Sequence, residues 1–146
     1  MLRTKASTYA ILAIAEIAKR QNTRAGGVQA GEIARCLDLP AAYAAKVLTQ
    51  LARANVLHSD RGPRGGFRLM RPPESIALLD IIEAVDGTIV AEVGLMDPHG
   101  DARGTSRFVD DVFNRIIAQV RVALHRETVA DLIRDEHTIP SFVEAT

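Results

Sequence analysis

Six consecutive residues, Arg61-Gly62-Pro63-Arg64-Gly65-Gly66, narrow the folds open to this chain more than any other stretch. Three glycines and a proline in so short a run exclude a helix interior, because glycine reaches backbone angles closed to other residues and proline fixes φ and lacks an N–H. The flanks, Val56-Leu57-His58-Ser59 and Phe67-Arg68-Leu69-Met70, suit extended backbone. The segment therefore reads as a two-stranded hairpin with a basic, glycine-rich tip that carries no bulky side chain.

Helical patterns precede it. Over 4–21 the apolar residues Tyr9, Ile11, Leu12, Ile14, Ala15, Ile17 and Ala18 occur without glycine or proline, which predicts a largely buried helix. Residues 22–27, with Gly26 and Gly27, read as a loop, and 32–37 as a short helix presenting Ile33, Ala34 and Leu37 to a core. Asp38-Leu39-Pro40 is a turn, since proline disfavours helical geometry at Leu39 and is itself suited to start a helix. The helix that follows, 41–55, has Ala44, Val47, Leu48, Leu51 and Ala52 on one face and Tyr43, Lys46, Gln50 and Arg53 on others. Two short helices joined by a tight turn make a helix-turn-helix, and a basic hairpin directly after it makes a wing.

The formal net charge is zero, from 18 basic and 18 acidic residues, but the charge is segregated. Residues 1–73 hold 12 basic and 4 acidic side chains, a net of +8, and the remainder carries −8. A basic half suits a polyanion; two solvated faces are the plainer alternative. The single cysteine excludes an intramolecular disulfide. Arg3 and Lys5 precede an apolar patch over 9–18, but Glu16 interrupts it, Lys19 and Arg20 follow it, and no small-residue cleavage site appears. Elsewhere no apolar run approaches the roughly 18 residues of a membrane span. The expectation is a soluble, cytoplasmic protein with no membrane partner.

Pro72-Pro73 punctuates the chain where the charge changes sign, dividing it into a DNA-binding region, 1–73, and a helical dimerisation or effector region, 74–146. Ser75 is placed to cap a helix running through Ile76, Leu78, Leu79, Ile81, Ile82 and Val85 and stopping at Asp86-Gly87. Residues 88–106, with Gly94, Pro98, Gly100 and Gly104, read as a long loop. The strongest helical stripe lies in 106–125, at Val109, Val112, Phe113, Ile116, Ile117, Val120 and Leu124. Thr128 and Asp131 have the spacing of a capping box for a last short helix through Ile133.

The wing and the 41–55 helix are the candidate site. Arg61, Gly62 and Arg64 form a tip whose backbone approaches phosphates closely while an arginine enters a narrow minor groove. Tyr43, Lys46 and Gln50 supply phosphate and base-edge donors for the major groove, and Lys5 joins them from the first helix. Glu92, Asp97, His99 and Asp101 form an oxygen-rich set with one imidazole, read as a solvated loop rather than a metal site. Cys36, beside Arg35 near a helix C-terminus, reads as an inert thiol. His58, His99, His125 and His137 have no metal-ligand spacing, the wing glycines match neither a P-loop nor a dinucleotide fingerprint, and no nucleophile–base arrangement suggests an enzyme.

The strings "LRTKASTYAILAIAEIA", "EIARCLDLPAAYAAKVLTQLARANVL", "RGPRGGFRL", "PPESIALLDIIEAVDG" and "TVADLI" occur in an order that resembles the Rrf-two family of bacterial winged-helix regulators, which includes IscR-like and NsrR-like proteins. The resemblance covers nearly the whole chain. It implies a mainly α fold with a winged helix-turn-helix and a two-stranded wing. It also implies a dimeric repressor or activator, with repressor the preferred reading, on a partly palindromic double-stranded operator, with recognition helices about one turn of DNA apart. Tyr43 and Lys46 fall at positions the family uses on DNA and Arg61 at its wing arginine, but Ala45 fills the base-reading position between them. The 106–125 helix corresponds to the dimerisation element, with folding back onto its own core as the alternative.

Members that sense iron–sulfur status carry three cysteines in the loop before that helix. Here the loop has none, so no cofactor is expected, and an unidentified small effector near the loop is left open. Two other classes compete: a winged-helix module docking on a metabolic enzyme with DNA binding lost, and a small metal-dependent enzyme using Asp97, His99 and Asp101.

Overall fold

Thr4 begins the ordered architecture by capping its first helix. In the computed structural model, which describes residues 3–90 and 105–135, α1 spans Lys5–Gln21. Ser7 N–H donates to Thr4 Oγ1 at 3.1 Å and Thr4 N–H to Ser7 Oγ at 2.9 Å, so each satisfies a donor the helix leaves open. Thr4 itself is extended and lies outside the helix expected over 4–21. Ala10, Ala13, Ile14, Ala15, Ile17 and Ala18 are buried, whereas Leu12 is 41% exposed and falls off the core face.

The second helix, α2 (Ala30–Cys36), starts two residues before the expected position. A turn with Asp38 at φ +52 leads to α3 (Ala41–Arg53), whose first-turn amides Tyr43 and Ala44 both donate to Pro40 O at 3.0 Å. This helix ends two residues earlier than expected. Asn55 takes φ +59, a left-handed conformation asparagine tolerates better than most residues, and Val56 N–H closes the end on Leu51 O at 3.0 Å.

The hairpin follows as β1 (Leu57–Asp60) and β2 (Gly66–Leu69), antiparallel, with Leu57 opposite Leu69 and Asp60 opposite Gly66. Both strands lie one residue nearer the tip than expected. Leu57 and Leu69 are buried at the hairpin's base, and Gln21 Oε1 accepts Leu69 N–H at 2.9 Å, tying the end of α1 to the sheet.

Ser75 does not cap a helix. It ends a 3-10 turn, Pro73–Ser75, and its hydroxyl donates to Pro72 O at 2.9 Å. The next helix, α4 (Leu78–Asp86), starts three residues later, with Asp80 Oδ2 accepting Ala77 N–H at 3.0 Å, and stops at Gly87 with φ +82. The delay has a long-range cause. Ile76 O accepts Val129 N–H and Leu78 N–H donates to Glu127 O, both at 2.9 Å, so Ile76 and Ala77 are extended backbone held against 127–129.

The long helix α5 (Thr105–Arg126) packs along α4, and α6 (Val129–Asp135) returns to α1. Thr128 and Asp131 cap α6 as the spacing predicts, with Thr128 N–H on Asp131 Oδ2 at 2.9 Å and Asp131 N–H on Thr128 Oγ1 at 3.3 Å. The core crosses the point of charge reversal: Ile76, Ile81 and Val129 share one buried cluster with Ala10, Ile14, Ile33, Leu48 and Leu57. The described elements, six helices and one two-stranded sheet, give the mainly α winged-helix architecture expected. No described helix is long and apolar enough to cross a membrane. Glu92, Asp97, His99, Asp101 and His137 lie outside the described residues, as does the effector position expected in the loop beyond residue 90.

Candidate nucleic-acid interface

The helix-turn-helix presents α3 because α2 and α1 cover its other faces. Ala44, Val47, Leu48 and Leu51 are buried, which leaves Ala41, Ala42, Lys46, Thr49 and Arg53 exposed and Ala45 and Gln50 half-buried. The N-terminal turns of α3 are therefore small-surfaced, with Lys46 projecting from them. Tyr43 is half-buried, its ring edge-on to Tyr9 at 6.0 Å and 82°. It packs α3 against α1 as well as standing near the open face. Lys5 is exposed and one helical turn before Tyr9, which places it on the stretch of α1 that meets α3.

The wing tip stands beside this helix, with α3 leading directly into β1. Gly62 has φ +98, a conformation that favours glycine, and Gly65 N–H closes the turn on Gly62 O at 2.9 Å. Arg61, Gly62, Pro63 and Arg64 are all exposed.

Ion pairing sorts the cations of the basic half. Glu16 takes Lys19 and Arg20, Glu32 takes Arg24, and Asp60 takes Arg68 at 2.6 Å and His58 at 2.9 Å. Arg71 reaches Asp80 at 3.4 Å. Among the described residues of this half, Arg3, Lys5, Arg35, Lys46, Arg53, Arg61 and Arg64 have no acidic partner. Unneutralised positive charge is thereby placed on α3, the wing tip and the start of α1, with Arg35 adding one charge at the end of α2. Composition alone did not distinguish these cations from the others.

A group of residues behind the wing escaped the sequence reading. Arg24 donates to both carboxylate oxygens of Glu32 at 2.8 Å and to Gly27 O at 3.0 Å. Those bonds, with Gln29 N–H on Glu32 Oε2 at 2.8 Å, hold the Glu32 carboxyl at about 2, well below its ordinary value, and raise the Arg24 guanidinium. Gln29 Nε2 donates to Gly65 O at 2.8 Å. The available signal was a glutamine in the N-cap position, where short polar side chains are preferred.

In the second half, α5 holds the stripe expected to dimerise. Val109, Phe113 and Ile116 are exposed, while Val112, Ile117, Val120 and Leu124 are half-buried. Phe113, Ile116, Ile117 and Val120 face Ile82 and residues 86–90 across a cavity of about 520 Å³. Arg121 pairs with Glu83, which also accepts Ile89 N–H at 2.8 Å and so pins the start of the loop to α4. Phe108, 65% exposed, and Val122, 51% exposed, stand on the far side of α5 and were not part of the expected stripe. Of the α5 residues whose burial is described, none is buried within the single chain.

The comparisons with known proteins agree with this architecture. The model of the Rrf2 family, described as an iron-dependent transcriptional regulator, matches residues 3–135. The HTH-type transcriptional regulator IscR of Cereibacter sphaeroides is 30% identical over 130 residues, spanning 88% of this chain and 84% of its own. Among solved structures, CymR, the global cysteine regulator of B. subtilis, superposes with a TM-score of 0.72 at 26% identity, covering 92% of this chain and 98% of its own. T. potens IscR, at 21% identity, shares the fold with a TM-score of 0.71, covering 98% of this chain and 95% of its own. With a family match over nearly its entire length and a winged helix-turn-helix in place, the chain belongs to the Rrf2 family of helix-turn-helix transcriptional regulators.

Proposed function

We propose that the protein is a homodimeric, sequence-specific DNA-binding repressor, not an enzyme, that works without an iron–sulfur cluster. The observation that carries this reading is the distribution of unpaired cations. Three of the four acids of the basic half, Glu16, Glu32 and Asp60, are taken up by Lys19, Arg20, Arg24 and Arg68, while Lys46 on α3 and Arg61 and Arg64 on the wing are left for another polyanion. In this reading the N-terminal turns of α3 enter the major groove, Lys46 meets phosphate, and Gln50 meets base edges. Ala45 offers only apolar contact, such as a thymine methyl, at its position. Arg61 enters the flanking minor groove.

The dimer is supported by α5, whose apolar side chains lack sufficient cover in one chain. A second copy supplies that cover and brings two recognition helices to half-sites about one helical turn apart. The thiolate set of an iron–sulfur cluster does not fit this chain. Its one cysteine, Cys36, is an exposed residue of α2, and no group of three or more His, Cys, Asp or Glu that could hold a metal occurs among the described residues.

The test is selection of duplexes from a random-sequence library by the full chain, followed by sequencing and a reporter assay on the recovered site. Inverted repeats that silence the reporter are expected. Recovery of no preferred duplex, or binding indifferent both to salt and to Arg61→Ala, would overturn the reading.

A further inference from the structure

The wing is too short to fix its own direction. Its ladder has four residue pairs, from Leu57↔Leu69 to Asp60↔Gly66, and an isolated hairpin of that size is marginal in water. The remaining hold comes from the chain just ahead of α2. Val28 exchanges both backbone bonds with Phe67, at 2.9 and 2.8 Å, and Gln29 Nε2 reaches Gly65 O at 2.8 Å, 36 positions away. The two backbones touch so closely that a Cβ on Gly66 would lie 2.6 Å from Val28 O.

Gln29 is an unusual choice for the position before α2. Serine, threonine, aspartate or asparagine there would bend back onto the helix's own amides. The Gln29 side chain makes no such bond, and Glu32, braced by Arg24, accepts the Gln29 main-chain N–H instead. The capping work is thus carried by an ion-paired carboxylate, which leaves the glutamine amide available to the wing tip.

We propose that Gln29 is a positioning residue for DNA recognition. It sets the angle of the wing against α2, and therefore against α3, so that Arg61 and Arg64 meet the minor groove at a fixed offset from the helix in the major groove. The proposal rests on the DNA-binding reading above. It assigns to an exposed side chain beside Pro63 and Arg64 the task of coupling the two halves of the grip.

The experiment uses the full chain and a fluorescent duplex recovered by the selection. Gln29→Met keeps the length and charge of the side chain and removes the donor. Its Kd should rise about two- to fivefold, the scale of one net hydrogen bond. In an Arg61→Ala/Arg64→Ala background the same substitution should change nothing, because the groups it positions are gone. Amide exchange at Gly65 and Phe67 should quicken, a readout independent of DNA. Gln29→Glu serves as the second variant: it cannot donate when ionised, and its charge suits a helix N-terminus.

The proposal is overturned if Arg61→Ala/Arg64→Ala weakens binding while Gln29→Met leaves both affinity and exchange as in the parent. It is equally overturned if Gln29→Met weakens binding by the same factor with and without the wing arginines. Failure of Arg61→Ala/Arg64→Ala to weaken binding would instead remove the DNA reading on which the proposal stands.

Discussion

Thr4 Oγ1 donates to Asp86 Oδ1 at 2.6 Å, joining the residue that caps α1 to the last residue of α4 across 82 positions of sequence. The same hydroxyl oxygen accepts Ser7 N–H. One small side chain therefore closes a helix end and fastens the two halves of the chain.

Replacing Thr4 by valine removes both bonds while keeping the shape. The expected loss is about 1–2 kcal/mol, dominated by the cap. Asp86→Ala, which spares the cap and removes the acceptor, should cost less than half of that. Denaturant unfolding of the two variants and their combination measures the division; equal losses would show that the bridge, not the cap, carries the energy.

Salt dependence provides a count of phosphate contacts. The four unpaired cations assigned to DNA in each subunit, Lys5, Lys46, Arg61 and Arg64, give about eight contacts in a dimer and a slope of log K against log salt of about −7. Arg61→Ala should reduce the magnitude of the slope by about two, one unit per subunit. Anisotropy titrations between low and moderate salt read this directly, and an unchanged slope would remove Arg61 from the phosphate set.

Acidification should expose the Arg24–Glu32 pair. The Glu32 carboxyl sits at about 2 in the folded chain against an ordinary 4.5, so its contribution to stability is complete above about 4.5 and is lost as the pH falls towards 2. Asp131, lowered first by the Thr128 N–H, acts in the same direction. Arg24→Met should melt below the parent at neutral pH, and the gap should close on going from pH 5 to pH 2. A gap independent of pH would mean that Arg24 acts through packing alone.

Dimerisation is tested on α5. Ile116→Asp places a charge on a side chain that is already exposed in the single chain, so the fold should survive while sedimentation equilibrium reports a monomer. Protection of DNA should shrink to one half-site. Val122→Asp probes the opposite side of the helix; if it alone dissociates the dimer, the interface lies on the Phe108–Val122 face rather than on the stripe expected from periodicity.

What could be read from the residues was local. The α1 periodicity, the turn at Pro40, the glycine-rich tip and the Thr128–Asp131 cap each sit within a few positions of their cause, and the residues alone predict them. Ser75 ends a 3-10 turn instead of capping a helix because the competing force lies more than fifty residues away: pairing with 127–129 keeps Ile76 and Ala77 extended. The choice between partnered and unpartnered cations depends on which acid folds beside which base, and so does the bond from Gln29 to the wing. Periodicity located one apolar stripe on α5, but a helix with few neighbours has more than one exposed face, and Phe108 and Val122 lie on another.

The pairing of 76–78 with 127–129 also fixes where α5 can turn. Its C-terminal end is stitched to the core through Glu127 and Val129, while Phe108, near the other end, is largely uncovered. At 1.5 Å per residue those ends are about 27 Å apart, so a tilt of about 5° at Arg126 sweeps Phe108 through more than about 2 Å. The long helix is thus anchored beside the winged core through 127–129 and the Arg121–Glu83 pair, and the geometry alone means that any tilt at that end is magnified at its tip.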